Sequence, residues 1–504
     1  GRNWKGTDMK QKKIFYYGLP LLGTLLCLWY IKEATCDIVY SDYIRIVNKY
    51  LPDVWNPENF FRPDVLTRIP IYYPVRALNV MLFRYNTTFE MALGVLGLGL
   101  SGLVFGRYCE WKQVNWLWYA FLMFLLFGLN KWEMLTNGTG WAHFLAFACF
   151  YYHYLVLDRV LYGQEKPGDK IRLLMLPPIV SLAIAGPYCA VYSAVMVLAY
   201  GFAGVQSYRI SRKGKETTMD WRFCVAGIVS VVIPLLLYMW SNSYAYEDHD
   251  GAIKVGLMEM LGNQPLFFVN FLLKSLASMV VGGETLNKWI AEGIVGDGAL
   301  YLLGTMLAGG YLLALAINIR CRLYERTLLP LLLLLAGMGN HGIILISRYI
   351  FAREEYGMSS RYALQYQAGV LGIVLTFALA WRWAETRENR KVTASKSAEA
   401  GRKLGEKEGQ ANRSMSKASR WMAAALCLLL LAGHGYTDYV EIRTAPYREA
   451  YGENIAAMAL QYEDLDDDTL RETFDYRKGR EESGADVRRA LRILKENGWN
   501  VFSR

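Results

Sequence analysis

Apolar runs, most of them of the length needed to cross a bilayer, recur along almost the whole chain. They lie at about 14–32, 90–106, 115–129, 141–161, 173–186, 189–206, 222–241, 299–318, 328–347, 364–382 and 421–433. A hydrocarbon core of about 30 Å takes roughly 20 apolar residues as a helix. The runs therefore predict an all-α polytopic transmembrane bundle of about eleven spans, and they exclude a soluble enzyme built round one large core. Gly186-Pro187 separates the fifth run from the sixth, because proline lacks the N–H and clashes with the preceding turn.

Charge orients the bundle. A net charge of +10 on a soluble protein would suggest nucleic acid. Here the excess fits basic cytoplasmic loops, and no nucleic-acid partner is implied. Arg2, Lys5, Lys10, Lys12 and Lys13 precede the first run, SYRISRKGK occupies 207–215, and residues 383–420 are rich in Lys and Arg. An N-terminus in the cytoplasm and an odd number of spans place the C-terminus outside the cell membrane. The expected organisation is a membrane domain over 1–383, with outer loops 33–89, 130–140 and 242–298. A flexible basic cytoplasmic linker follows over 384–420, then a last span over 421–434 and an extracytoplasmic helical tail over 435–504. Pro265–Val281 is apolar but holds Lys274. Counting it as a span would also put Arg320, Arg322 and Arg326 outside, so it is read as a helix on the outer face.

The first run shows no small-residue cleavage pattern and is read as a retained helix. The eight cysteines are scattered singly, without CxxC or metal-ligand spacing. No cofactor is certain, although the acids leave a divalent metal open. No internal repeat is evident. Asn86-Thr-Thr and Asn137-Gly-Thr match the glycosylation sequon. His143 and His341, on apolar runs, read as hydrogen-bonded packing residues.

Polar chemistry concentrates on the outer side. Cys36–Pro74 carries Asp37, Asp42, Glu58, Arg62 and Arg68 directly after the first run. Tyr43, Ile46, Val47 and Tyr50 fall on one face of a helix starting at Asp42, which predicts an amphipathic helix lying flat on the membrane. Arg348 and Arg361 each sit in a Ser-Arg-Tyr triplet, the second ending in Tyr362. Guanidinium groups bind phosphate bidentately, and the neighbouring hydroxyls add donors. In the 130–140 loop, Trp132 can stack on a sugar face and Glu133 can hold hydroxyls. Glu58 and Arg68 complete the substrate-binding set. An acid beside a phosphate clamp suits sugar transfer from a lipid phosphate. Arginines stabilise the leaving phosphate, and a carboxylate deprotonates the acceptor hydroxyl. Asp42 is the first choice for this base and Asp37 the second.

A first helix followed by outside acids and a surface helix, in a chain of this layout, resembles the GT-C superfamily of membrane glycosyltransferases. The resemblance implies a polyprenyl-phosphate or polyprenyl-diphosphate sugar donor and a base in the first outside loop, here Asp42 or Asp37. LTRIPIYYPVRALNVMLFRYNTTFEMAL (66–93), NKWEMLTNG (130–138) and VRRALRILKENGWNVF (487–502) resemble a group of bacterial multi-span proteins of mostly unassigned function. That group begins the first segment with His-Arg, where this chain has Thr67-Arg68. The Trp-Trp-Asp signature of oligosaccharyltransferases is missing, so the implied acceptor is a surface glycan or glycolipid and not a peptide. Two other readings compete. One is a polysaccharide polymerase or ligase using a lipid diphosphate donor, which the long loop at 242–298 partly matches. The other is a non-enzymatic transporter or flippase.

Overall fold

Helix α1 (Asn3–Ala34) runs from a proximal end, where the chain starts, to a distal end, and the later helices alternate between the two. The computed structural model describes residues 3–60, 69–212, 219–243, 251–398 and 415–503, with side chains described outside 3–12 and 383–398. No strand occurs among these residues. Nine of the described helices are long and apolar enough to cross a membrane.

At the distal end the chain forms α2 (Asp42–Tyr50) and α3 (Tyr72–Phe83), then returns through α4 (Thr87–Lys112). Gly99 packs on Thr24 and Gly106 on Tyr16, so α1 and α4 are antiparallel. The expected third span is broken. α5 (Trp116–Leu126) has 11 residues, about 17 Å of rise, and gives way to a 3-10 turn and the short α6 (Trp132–Thr136). The buried Lys131 ammonium donates to the carbonyls of Leu126 at 3.0 Å and Gly128 at 2.6 Å, satisfying the helix end that the break exposes. α7 (Trp141–Leu161) then runs parallel to α4, with Phe144 on Gly94 and Tyr151 against Phe105. The fifth expected span is also short: α8 (Asp169–Ile179) continues as one π-helical stretch to Ile184 and stops at Gly186-Pro187.

α9 (Cys189–Ser211) and α10 (Trp221–Asn242) follow as an antiparallel pair. Three short helices, α11 (Leu257–Asn263), α12 (Pro265–Ala277) and α13 (Gly283–Ala291), stay at the distal end. Lys274 of α12 pairs there with Glu354 at 3.0 Å and Asp297 at 3.2 Å. α14 (Asp297–Arg320), α15 (Leu329–Arg348) and α16 (Ala363–Ala398) complete the bundle. From Tyr362 to Ala380 every residue is buried, so α16 is the central helix. Its Gly369 lies against Gly337 of α15, and a Cβ on Gly337 would sit 2.3 Å from the Gly369 Cα. Only glycine permits that approach.

α16 continues helically to Ala398, into the segment expected to be a flexible linker; 399–414 lie outside the described residues. The expected boundary at 435 is absent. α17 (Lys417–Leu460) is one helix of 44 residues, so the last span and the start of the tail are a single element. Gly433 and Gly435 do not break it. Gly433 packs against the Val280 carbonyl, and His434 hydrogen-bonds the Met279 carbonyl at 2.9 Å.

α18 (Asp467–Thr473) and α19 (Ser483–Asn497) form a distal cap with its own core. This corrects the reading of α2. Its apolar face (Tyr43, Ile46, Val47, Tyr50) does not lie on lipid. It meets Val487, Ala490, Leu491 and Leu494 of α19, because each amphipathic helix covers the other's stripe. Its neighbour α3 does expose apolar side chains, through Leu78, Met81, Leu82 and Phe83.

Candidate active site

Two cavities adjoin at the distal end. The first, of about 350 Å³, lies between the end of α1, the start of α2, α6, Arg361 and the cap. Tyr40, Ser41, Tyr43, Trp132, Tyr447 and Tyr451 give it an aromatic and hydroxyl-rich wall. The second, of about 320 Å³, lies between α13 and the 353–362 loop. Glu284, Arg353, Glu355, Tyr356 and Tyr362 line it. Glu133 and Arg361 line both.

Glu133 and Arg361 are therefore the partition. Arg361 Nε donates to Glu133 Oε1 at 2.5 Å, and Ser360 Oγ donates to Oε2 at 3.2 Å. The side chain of Arg361 remains half-exposed. Its two terminal amino groups have no protein partner among the described residues. The partition is anchored from behind by the Ser360 N–H, which donates to Glu284 at 3.1 Å.

Of the residues singled out in the sequence, Trp132, Glu133, Arg361 and Tyr362 converge on these cavities. Asp42 stands at the edge of the first cavity. It opens α2 between the lining residues Ser41 and Tyr43, lies 3.4 Å from Arg45, and contributes to the electrostatic field on Arg361. Arg348 is one layer back, donating to the Tyr362 hydroxyl at 3.1 Å.

Asp37 lies elsewhere. Its Oδ1 accepts from the Thr87 N–H at 2.7 Å, the Thr87 hydroxyl at 2.9 Å and Asn500 Nδ2 at 2.6 Å. A carboxylate at a helix N-terminus is favoured by the free N–H groups and the dipole. Asp37 thus fastens α4 and the chain's last turn together, which is the geometry of a structural acid. Glu58 is exposed in the 3-10 turn Pro57–Phe60 and lines neither cavity. Arg62 and Arg68 lie outside the described residues. The Asn86 sequon also has a structural use, as the N-cap of α4.

The expected stacking platform is occupied. Arg448 of α17 lies over the Trp132 ring, 3.3 Å from its centroid, and donates to Glu441 at 2.7 Å. Tyr447, Arg448, Tyr451 and Asp475 were not singled out in the sequence. Their only signal was the pair Tyr447 and Tyr451 at i, i+4 around an arginine, which places three long polar-tipped side chains near one helix face.

Two lining residues hold backbone conformations that L side chains rarely adopt: Ser41 at φ 51° and Asp475 at φ 47°. They face each other because the Ser41 N–H donates to the Phe474 carbonyl at 2.8 Å. Burial pushes the Tyr40 phenol up to about 12, so it stays protonated. Glu355 stays ionised: burial favours its neutral form, but the Arg353 hydrogen bond outweighs that and holds it below the usual range.

Among the described residues no group of three or more His, Cys, Asp or Glu side chains is placed to hold a metal ion. Comparison of the chain with protein-family models, with curated proteins and with solved structures finds no match.

Proposed function

We propose that this chain is an integral membrane glycosyltransferase of GT-C-like layout. It moves a sugar from a polyprenyl-phosphate donor to a surface glycan or glycolipid acceptor, with inversion at the anomeric carbon. The observation that carries the reading is the half-exposed Arg361, held by Glu133 on the wall shared by two distal cavities. In this reading the terminal amino groups of Arg361 receive the lipid phosphate, with the Tyr362 hydroxyl beside them. The sugar lies against the tyrosine-rich wall of the first cavity. Asp42 takes the proton from the acceptor hydroxyl. The acceptor oxygen bonds to the anomeric carbon as its bond to the phosphate oxygen breaks, and the lipid phosphate leaves with that electron pair.

The reading includes an orientation. Taking α5 and α8 with the nine long helices gives eleven crossings of the cell membrane. Arg107, Lys112, Arg159, Arg322 and Arg326 gather at the proximal end, which supports reading that end as cytoplasmic under the positive-inside rule. Both cavities and the cap then face outward.

The test is glycan mass spectrometry on cells carrying Arg361→Ala or Asp42→Asn at matched expression, against the wild type and a deletion strain. Loss of the same surface glycan in both variants supports the reading. A full glycan complement in both sinks it.

A further inference from the structure

A further hollow lies away from the candidate site. It is a groove of about 510 Å³ between α4 and α7, near their proximal ends. A smaller cavity of about 250 Å³ adjoins it and shares Arg107, Leu155, Arg159 and Lys166. The two parts of the groove differ in chemistry. Leu100, Leu103 and Val104 of α4, with Leu145, Cys149 and Tyr152 of α7, form an apolar floor. Leu100 and Leu103 are exposed on the outside of the bundle, on a helix long and apolar enough to cross a membrane. The rim is basic: Arg107, Arg159, Lys166 and Arg172 converge on it.

The rim is under-neutralised. Asp169 takes a bidentate bond from Arg159, at 2.6 and 2.7 Å, and another from Arg172 at 2.6 Å. Glu110 takes one from Arg107 at 3.2 Å. Those two carboxylates face four cations. Lys166 has no ion pair among the described residues, while its backbone N–H donates to Asp169 at 2.8 Å. Burial, Arg107, Arg159 and Arg172 together hold its ammonium below the usual value. An anion arriving at the rim relieves that repulsion. The Asp169 cluster preorganises the rim, since Asp169 and Arg159 are buried and fix the loop that carries Lys166.

Length fits as well as charge. From Arg107 to Leu100 is about 10 Å along the helix, and from Leu155 to Leu145 about 15 Å. Half of a hydrocarbon core is also about 15 Å. The floor thus runs from the headgroup level toward the middle of the bilayer, in line with an acyl chain.

We infer that this groove is a binding site for an anionic phospholipid of the proximal leaflet. Its phosphate sits among Lys166, Arg172 and Arg107, and an acyl chain lies along Leu100, Leu103 and Tyr152. A soluble phosphate would use the rim and leave the floor empty. A zwitterionic lipid would use the floor and bring a cationic headgroup to a basic rim. The site does not depend on the glycosyltransferase reading, because it lies at the opposite end of the bundle.

The experiment is native mass spectrometry of the full chain in neutral detergent, titrated with phosphatidylglycerol or with phosphatidylcholine of identical acyl chains. Inorganic phosphate is run as a third arm. The variants are Lys166→Gln with Arg172→Gln, which spare the buried Arg159–Asp169 pair, and Leu103→Trp, which fills the floor. Thermal melting checks that each variant is folded. Phosphatidylglycerol is expected to bind preferentially and to lose about fivefold in affinity for each cation removed. Leu103→Trp is expected to weaken both lipids. Equal binding of the two lipids, or no change in the Lys166/Arg172 variant, overturns the inference. Inorganic phosphate binding as tightly as phosphatidylglycerol also overturns it, since the rim would then be a soluble-anion site.

Discussion

The guanidinium carbon of Arg448 lies 3.3 Å from the centre of the Trp132 ring, joining residues 316 positions apart (448 − 132) across the wall of the first cavity. The same arginine neutralises Glu441, which is almost fully buried. Removing it therefore costs more than a stacking contact. A desolvated cation–π pair contributes about 2 kcal/mol, and an orphaned buried carboxylate costs about 3 kcal/mol or more. Arg448→Ala is expected to lower the thermal midpoint strongly. Arg448→Ala with Glu441→Gln is expected to recover a large part of the loss. Thermal unfolding in detergent of both variants and the wild type checks this, and equal losses in the single and double variants contradict it.

Asp37 and Asp42 are five residues apart and should fail in opposite ways. Asp37→Ala leaves the Thr87 N–H and Asn500 without their acceptor, a loss of about 2 kcal/mol. Less folded protein should reach the membrane, and the fraction that folds should retain transfer. Asp42→Asn removes no buried partner, since Asp42 pairs only loosely with Arg45. Its protein should be made in normal amount and transfer nothing. Quantified membrane protein, set beside glycan per molecule, separates the two.

Ser41 stores strain at the cavity edge. Its φ of 51° and ψ of −127° suit glycine, and such a conformation in another residue costs about 1–3 kcal/mol. Ser41→Gly is expected to raise the thermal midpoint. If the strain holds Asp42 in position, the same variant lowers the transfer rate while protein yield rises. An unchanged or lower midpoint refutes the strain argument.

The cap depends on one seam between α2 and α19. Leu491 is fully buried there. Leu491→Asp puts an unpaired carboxylate into that core, at a cost of several kcal/mol. The cap should open locally while the membrane bundle stays folded. Limited proteolysis should then cut within the last 45 residues, and transfer should fall because Tyr447, Tyr451 and Asp475 lose their support. Unchanged protease resistance counts against the seam.

The helical bundle was legible because lipid imposes a length. Runs near 20 residues became α1, α4, α7, α9, α10, α14, α15 and α16. Lys274 and the three arginines at 320–326 kept α12 at the distal end. The breaks after α5 and α8 were harder to read. Hydropathy reports apolarity, while the backbone at 129–131 leaves the helix only because Lys131 can serve the freed carbonyls. The amphipathic period of α2 was readable, but its partner was not. A stripe of Tyr43, Ile46, Val47 and Tyr50 fits a membrane surface and another stripe equally well, and α19 lies more than 430 residues later. The site shows the same division. Glu133 and Arg361 announced themselves as charges beside apolar runs. Arg448 and Asp475 sat among many tail charges, and only folding selects those two.

Pro446 lies inside α17, immediately before Tyr447 and Arg448. Its ring removes the N–H that would have tied it to the carbonyl of Ile442, so the helix is mechanically weakest at that turn. Below the joint, α17 is a mast fixed in the bundle by Gly433 and His434. Above it, the helix carries the cap. The Arg448–Glu441 ion pair reaches across this joint, so the arginine that covers Trp132 also braces the helix at the turn where its own ladder of hydrogen bonds is incomplete.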